Sequence, residues 1–213
     1  MALTELSDEL TALRDAFDTR AAVYDEDQMH QAVSRASAEF ASVADGETVL
    51  DVATGTGLVL RALRAQHPSL RLIGVDISPG MLAKARRELS DAEWLEADAA
   101  ALPLDDAVID LITCVTALHL IPDTTGAFAE WRRVLRPGGR VVTATFVQRA
   151  EQNFGSAPTA ERPYPRNHTP FGSVDAMRET AALHGFDLTR HALWHGENDT
   201  VLISEIVLKQ TSL

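Results

Sequence analysis

The stretch Val49-Leu50-Asp51-Val52-Ala53-Thr54-Gly55-Thr56-Gly57-Leu58-Val59 decides how this chain folds. A short apolar, β-branched run ends in small residues, and the amphipathic segment LVLRALRAQH begins at once. That order predicts strand, tight turn and helix. Small residues let the backbone turn sharply and approach a ligand with no Cβ in the way. The helix start adds free N–H groups and partial positive charge. Nineteen residues past Gly57, Asp76 ends a second apolar run, LRLIGVD, where a carboxylate can accept from two ribose hydroxyls.

Working outward, Ser78-Pro79 is an N-cap and first-turn proline that opens a helix to about Leu89. AEWLEAD predicts a third strand, VIDLITCV a fourth, Asp123 to Leu135 a helix, Arg136-Pro137-Gly138-Gly139 a turn, and RVVTATF a fifth strand. Strands alternating with helices predict βαβ units and a mainly parallel sheet covered on both faces. Residues 147–172 carry Pro158, Pro163, Pro165 and Pro170 without periodicity, and are a candidate lid loop. Ser173 can cap a helix to about His184. Strands near Asp187–Trp194 and Thr200–Lys209, joined by HGEND, then predict an antiparallel hairpin.

Before Thr48, Leu3, Leu6, Leu10, Leu13 and Phe17 form one apolar helical stripe, and Met29 to Val43 a second helix. The chain therefore divides as a single domain. Residues 1–47 form a helical cap, 48–146 a ligand-binding core, 147–172 the loop, and 173–213 a helix and hairpin.

Composition narrows the partners. A length of 213 residues with 46% hydrophobic and 23% charged residues is globular. The net charge of −12 excludes a basic stripe for nucleic acid and opposes docking on an anionic membrane. Residues 1–48 hold eleven acidic and three basic residues, so most of the excess lies in the cap. It reads as a solvated helical face, or as a field favouring a cationic ligand. Cys114 is the single cysteine, which excludes an internal disulfide and makes a cytoplasmic location the expectation. The start MALTELSDEL has no basic region before an apolar one, and AVIDLITCVTALHLI is too short to span a membrane.

A dinucleotide site would use G-x-G-x-x-G with the same acidic residue. Here Leu60 stands where the third glycine belongs, and Asp51 precedes the loop where such sites need no carboxylate.

VLDVATGTG, GVDISPGML, the acidic EAD at 96–98 and LRPGG at 135–139, in this order and spacing, resemble class I S-adenosylmethionine-dependent methyltransferases. The resemblance covers about residues 20–146 and is nearest to the group containing the ubiquinone/menaquinone C-methyltransferases. It implies an α/β fold: a Rossmann-like three-layer α/β/α sandwich with a seven-stranded, mostly parallel sheet and one antiparallel strand. It implies S-adenosyl-L-methionine as cofactor. Asp51, Ala53, Thr54 and Gly55 would hold its methionine end, and Asp76 the ribose. Ile77 and Met81 would pack on the adenine, with Asp98 and the Ala99 N–H meeting its edge. The segment from Cys114 would line the methionine and acceptor side. Ala53 departs from the glycine most relatives carry there.

His119, just after the fourth strand, is the candidate general base, against a plain reading as a histidine packed at a helix start. Tyr24 matches a tyrosine that the family places over the active site, against ordinary aromatic packing. His168 lies in the candidate lid. Cys114 has no basic neighbour that would make it a nucleophile, and no metal-ligand spacing stands out. The reading is methyl transfer to a small-molecule acceptor by a monomer or homodimer, with no nucleic-acid or membrane partner. The alternatives are a non-catalytic cofactor-binding protein, a protein-modifying methyltransferase and a nicotinamide-dependent oxidoreductase.

Overall fold

The computed structural model describes residues 6–147 and 164–209. Leu3 and most of the candidate lid, with Pro158 and Pro163, lie outside them. Among the described residues seven strands form one sheet: β1 Thr48–Val52, β2 Arg71–Asp76, β3 Glu93–Glu96, β4 Ile109–Val115, β5 Leu135–Phe146, β6 Phe186–His195 and β7 Thr200–Leu208. Their order is β3-β2-β1-β4-β5-β7-β6, and only β7 runs antiparallel to its neighbours. The order reverses between β1 and β4, which opens a crevice at their carboxyl ends.

The described residues also form six α-helices: α1 Asp8–Arg20, α2 Gln28–Phe40, α3 Leu58–Gln66, α4 Pro79–Glu88, α5 Thr124–Val134 and α6 Val174–Leu183. Consecutive strand residues such as Val49 and Leu50 feed opposite faces, as the two-residue strand period requires. One face packs Val33, Leu63 and Leu82 from α2, α3 and α4; the other packs Phe128, Trp131 and Met177 from α5 and α6. This is the expected three-layer sandwich. α2 is thereby one of its covering helices, while α1 and the 3-10 turn Tyr24–Glu26 overhang the crevice.

Local signals set the helix starts. Ser78 Oγ accepts from the Met81 N–H at 3.0 Å, and Asp123 caps α5 through the Gly126 N–H at 2.8 Å. The Arg136–Gly139 segment is absorbed into β5 as an excursion: Leu135 pairs with Ile109, and pairing resumes at Arg140 with Leu111. Arg133 donates to the Leu102 and Leu104 carbonyls at 3.0 and 2.6 Å and pins the loop before β4.

Candidate active site

The loop after β1 is a run of backbone conformations that few side chains tolerate. Ala53, Gly55 and Gly57 have φ of 54°, 56° and 79°. The left-handed region costs a residue with a Cβ about 1–2 kcal/mol, so Ala53 is held there by its surroundings. The Thr54 N–H anchors the turn on the Val75 carbonyl at 3.0 Å. The two glycines do different work. A Cβ on Gly55 would meet nothing nearer than Tyr24 Cε1 at 4.0 Å, so its bare face opens toward the cavity. A Cβ on Gly57 would lie 2.6 Å from Trp94 Cη2, so its absence makes room for an indole.

Two buried carboxylates flank this loop. Asp51, at the end of β1, accepts from the Thr54 and Thr113 hydroxyls, each at 2.6 Å. Asp76, at the end of β2, accepts from the Gly55 N–H at 2.8 Å and the Ser78 N–H at 2.9 Å. Burial raises both above the ordinary carboxylate value, against these hydrogen bonds: Asp51 to about 7 and Asp76 to about 6. None of the donors carries a charge. A buried carboxylate answered only by neutral donors suits a ligand that brings a cation or hydroxyls.

Such a ligand has space. A cavity of about 700 Å³ lies over Asp76 and Ile77 and beside Asp98 and Ala99, roofed by Leu13 and Phe17 of α1. A second, of about 320 Å³, adjoins it, with Asp51, Thr54 and Gly55 on one wall and Tyr24, His30 and Ser34 on the other. Ala53, Val115 and Thr116 border both. Asp76 offers the larger cavity an acceptor suited to a diol, Ile77 and Phe17 give it apolar lining, and Asp51 offers the smaller one an acceptor suited to an ammonium.

Residues 50–143 match the family described as a methyltransferase domain. A demethylmenaquinone methyltransferase of Thermus thermophilus is 39% identical over 111 residues, 50% of this chain and 50% of that protein. Its counterpart in Deinococcus radiodurans is 38% identical over 126 residues, 57% of this chain and 52% of that protein. Over this stretch the chain is similar to class I S-adenosylmethionine-dependent methyltransferases. It spans about half the length of these curated relatives. A Haloferax volcanii methyltransferase, solved with the Trm112 methyltransferase activator, shares the fold at TM-score 0.78 and 22% identity, over 91% of this chain and 98% of that one.

Asp51, Ala53, Thr54, Gly55, Asp76, Ile77, Asp98 and Ala99 all border the two cavities. Met81 does not: it is fully buried in α4. Cys114 is likewise buried in the apolar core, and Val115, Thr116 and Ala117 line the crevice in its place. Burial pushes the Cys114 thiol far above its ordinary value, which keeps it protonated. Tyr24 borders both cavities; burial pushes its phenol up to about 12, so it stays a donor.

His119 borders neither cavity. It is 5% exposed, stacks on His168 at 4.1 Å and meets the edge of Phe146 at 5.6 Å. Burial, then the neighbouring His168, Arg166 and His30, push it down to about 3, which makes it a weak base. The described end of the loop sits against the same corner, with the Asn167 N–H on the His119 carbonyl at 2.8 Å. Thr116, in the segment expected to line the crevice from Cys114, does so at a strained φ of 54°; His30 and Ser34, on one face of α2, line it unforeseen. The overlooked signal for His30 was Asp27 three residues before it, at a helix start.

Proposed function

We propose that this chain transfers a methyl group from S-adenosylmethionine to a small-molecule acceptor enclosed beneath α1. The observation that carries the reading is the pair of buried carboxylates, Asp51 and Asp76, facing adjoining cavities with only neutral donors. When bound, S-adenosylmethionine supplies a methyl carbon already activated by its sulfonium. The residues therefore have to orient the reactants and exclude water, an effect worth roughly 7–11 kcal/mol.

Asp76 accepts from the ribose hydroxyls, and Asp98 with the Ala99 N–H meets the adenine edge, against Ile77. Asp51 takes the ammonium, with the Ala53–Gly55 backbone alongside. Tyr24 roofs the junction of the two cavities as a hydrogen-bond donor. The apolar wall of Phe17, Leu120 and Ile121 suits a flat acceptor, and the two demethylmenaquinone methyltransferases among its relatives support a quinol-type ring. The described residues contain no helix long and apolar enough to cross a membrane; with the buried free thiol of Cys114 this supports a cytoplasmic enzyme.

Equilibrium titration with S-adenosylmethionine tests the first half. Saturable binding is expected, weakened about tenfold or more by Asp76→Ala; binding indifferent to that change counts against the reading. Labelled methyl groups from the cofactor, offered with a quinol and a metabolite extract, then identify the acceptor. Binding without any labelled product would favour a non-catalytic role.

A further inference from the structure

The smaller cavity has a second polar wall. His30 Nδ1 lies 2.9 Å from Asp27 Oδ2. The other oxygen of Asp27 accepts from the Met29 and His30 N–H groups at 2.9 and 3.3 Å, so one carboxylate caps α2 and lies beside the imidazole. Tyr24 packs against the ring at 4.9 Å. Across the cavity stand Thr54 and the first residues of α3, Leu58 and Val59, and no side chain caps that helix. The cavity thus presents a carboxylate, Asp51, on one side and an imidazole with an uncapped helix start on the others. An α-amino acid carries the complementary pair, an ammonium and a carboxylate on one carbon.

We propose that His30, beside Asp27, binds the α-carboxylate of the cofactor's amino-acid tail while Asp51 takes its ammonium. The assignment rests on the methyltransferase reading and adds to it the residue that recognises the end of the tail. Nδ1 faces Asp27 at ion-pair distance without the alignment of a hydrogen bond, and the ring offers a carboxylate a positive charge only in its protonated form. Asp27, Arg20, Asp199, Tyr24, Asp51 and His119 are the titratable groups around it. Burial lowers His30, Asp27 and Asp199 oppose, and Arg20 adds to burial, leaving it below its ordinary value. The free protein therefore holds a neutral ring near pH 7, which takes up a proton as the carboxylate arrives.

Calorimetric titration with S-adenosylhomocysteine, and with its decarboxylated form that keeps the amine, tests this. His30→Gln is expected to weaken S-adenosylhomocysteine about tenfold to a hundredfold and to leave the decarboxylated form unchanged. His30→Lys should restore most of the loss. Proton uptake on binding, read from buffers of different ionisation heat, should fall in His30→Gln relative to the native chain. Native affinity for S-adenosylhomocysteine in His30→Gln, or equal loss of both ligands in both variants, overturns the assignment. A native chain that binds neither ligand refutes the methyltransferase reading instead.

Discussion

Asp25 Oδ2 and Arg61 Nη2 meet at 2.8 Å, across the junction of the N-terminal turn and α3. The other Asp25 oxygen accepts from the Thr56 hydroxyl at 2.5 Å, and Lys84 of α4 lies 3.6 Å away. Asp18 does the same for α1, accepting from the Ser78 hydroxyl at 2.5 Å and the Gly80 N–H at 2.8 Å. The acidity of the N-terminal segment is thus partly a set of tethers: Asp18, Asp25 and Asp27 hold the roof of the crevice to its floor or cap a helix. Only Glu26 of the run at 25–27 lacks such a bond among the contacts described, and it is exposed.

Removing one tether should loosen the roof. Asp25→Ala is expected to lower unfolding free energy by roughly 1–3 kcal/mol and to speed hydrogen exchange in α1 before the sheet. Burial works to raise the Asp25 carboxyl, but Thr56, Arg61 and Lys84 prevail and hold it below 3.8. Its contribution is therefore full above that value and is lost as pH falls through the lower, folded one. Unchanged exchange in α1 would show the tether to be idle.

Asp51 and Asp76 have the opposite sign. With folded values of about 7 and about 6 against 3.8, the free protein holds protons that the unfolded chain has released. Their effect is a loss of stability as pH rises from about 4 to about 7. Asp51→Asn should then raise the melting temperature of the free protein at pH 8 while weakening cofactor binding. A lower melting temperature there would mean that the carboxylate is stabilised by something other than the bonds described.

Trp94 occupies the space left by two glycines. A Cβ on Gly74 would lie 2.4 Å from its Cζ3, and one on Gly57 2.6 Å from its Cη2. Gly74→Ala is expected to cost about 1–3 kcal/mol by overpacking. Gly57→Ala should cost about 1–2 kcal/mol more for its left-handed backbone. Trp94→Leu in the Gly74→Ala background should recover part of the loss, which chemical denaturation of the four chains of that cycle would measure.

Ala53→Gly should stabilise the protein. Relief of the left-handed strain, about 1–2 kcal/mol, exceeds the roughly 0.5–1 kcal/mol of extra chain entropy that glycine loses. A fall in melting temperature would show that packing of the Ala53 methyl against the core outweighs the strain.

Much of the fold was legible because it rests on local periodicity. The alternation of apolar runs and amphipathic segments named the strands, and the right-handed crossovers of parallel strands force their carboxyl ends to one edge. Asp51, Asp76 and Asp98 each follow or end such a strand, so their convergence on one crevice follows from chain order alone. The final hairpin was legible from the short turn HGEND.

Side-chain direction was not legible. Cys114 and His119 adjoin residues that line the crevice, and Met81 was expected to, yet each lies in packed interior. Gly57 belongs to the ligand loop by sequence and serves Trp94, thirty-seven residues on, by structure. His30 joins the crevice only because α2 lies across α3. By itself the sequence determined the βα alternation, the edge where a ligand binds and the carboxylates that meet it, because backbone propensity and strand order are local or topological. Tertiary structure alone decided which neighbours of those carboxylates face the cavity, because that depends on how helices distant in sequence pack against one another.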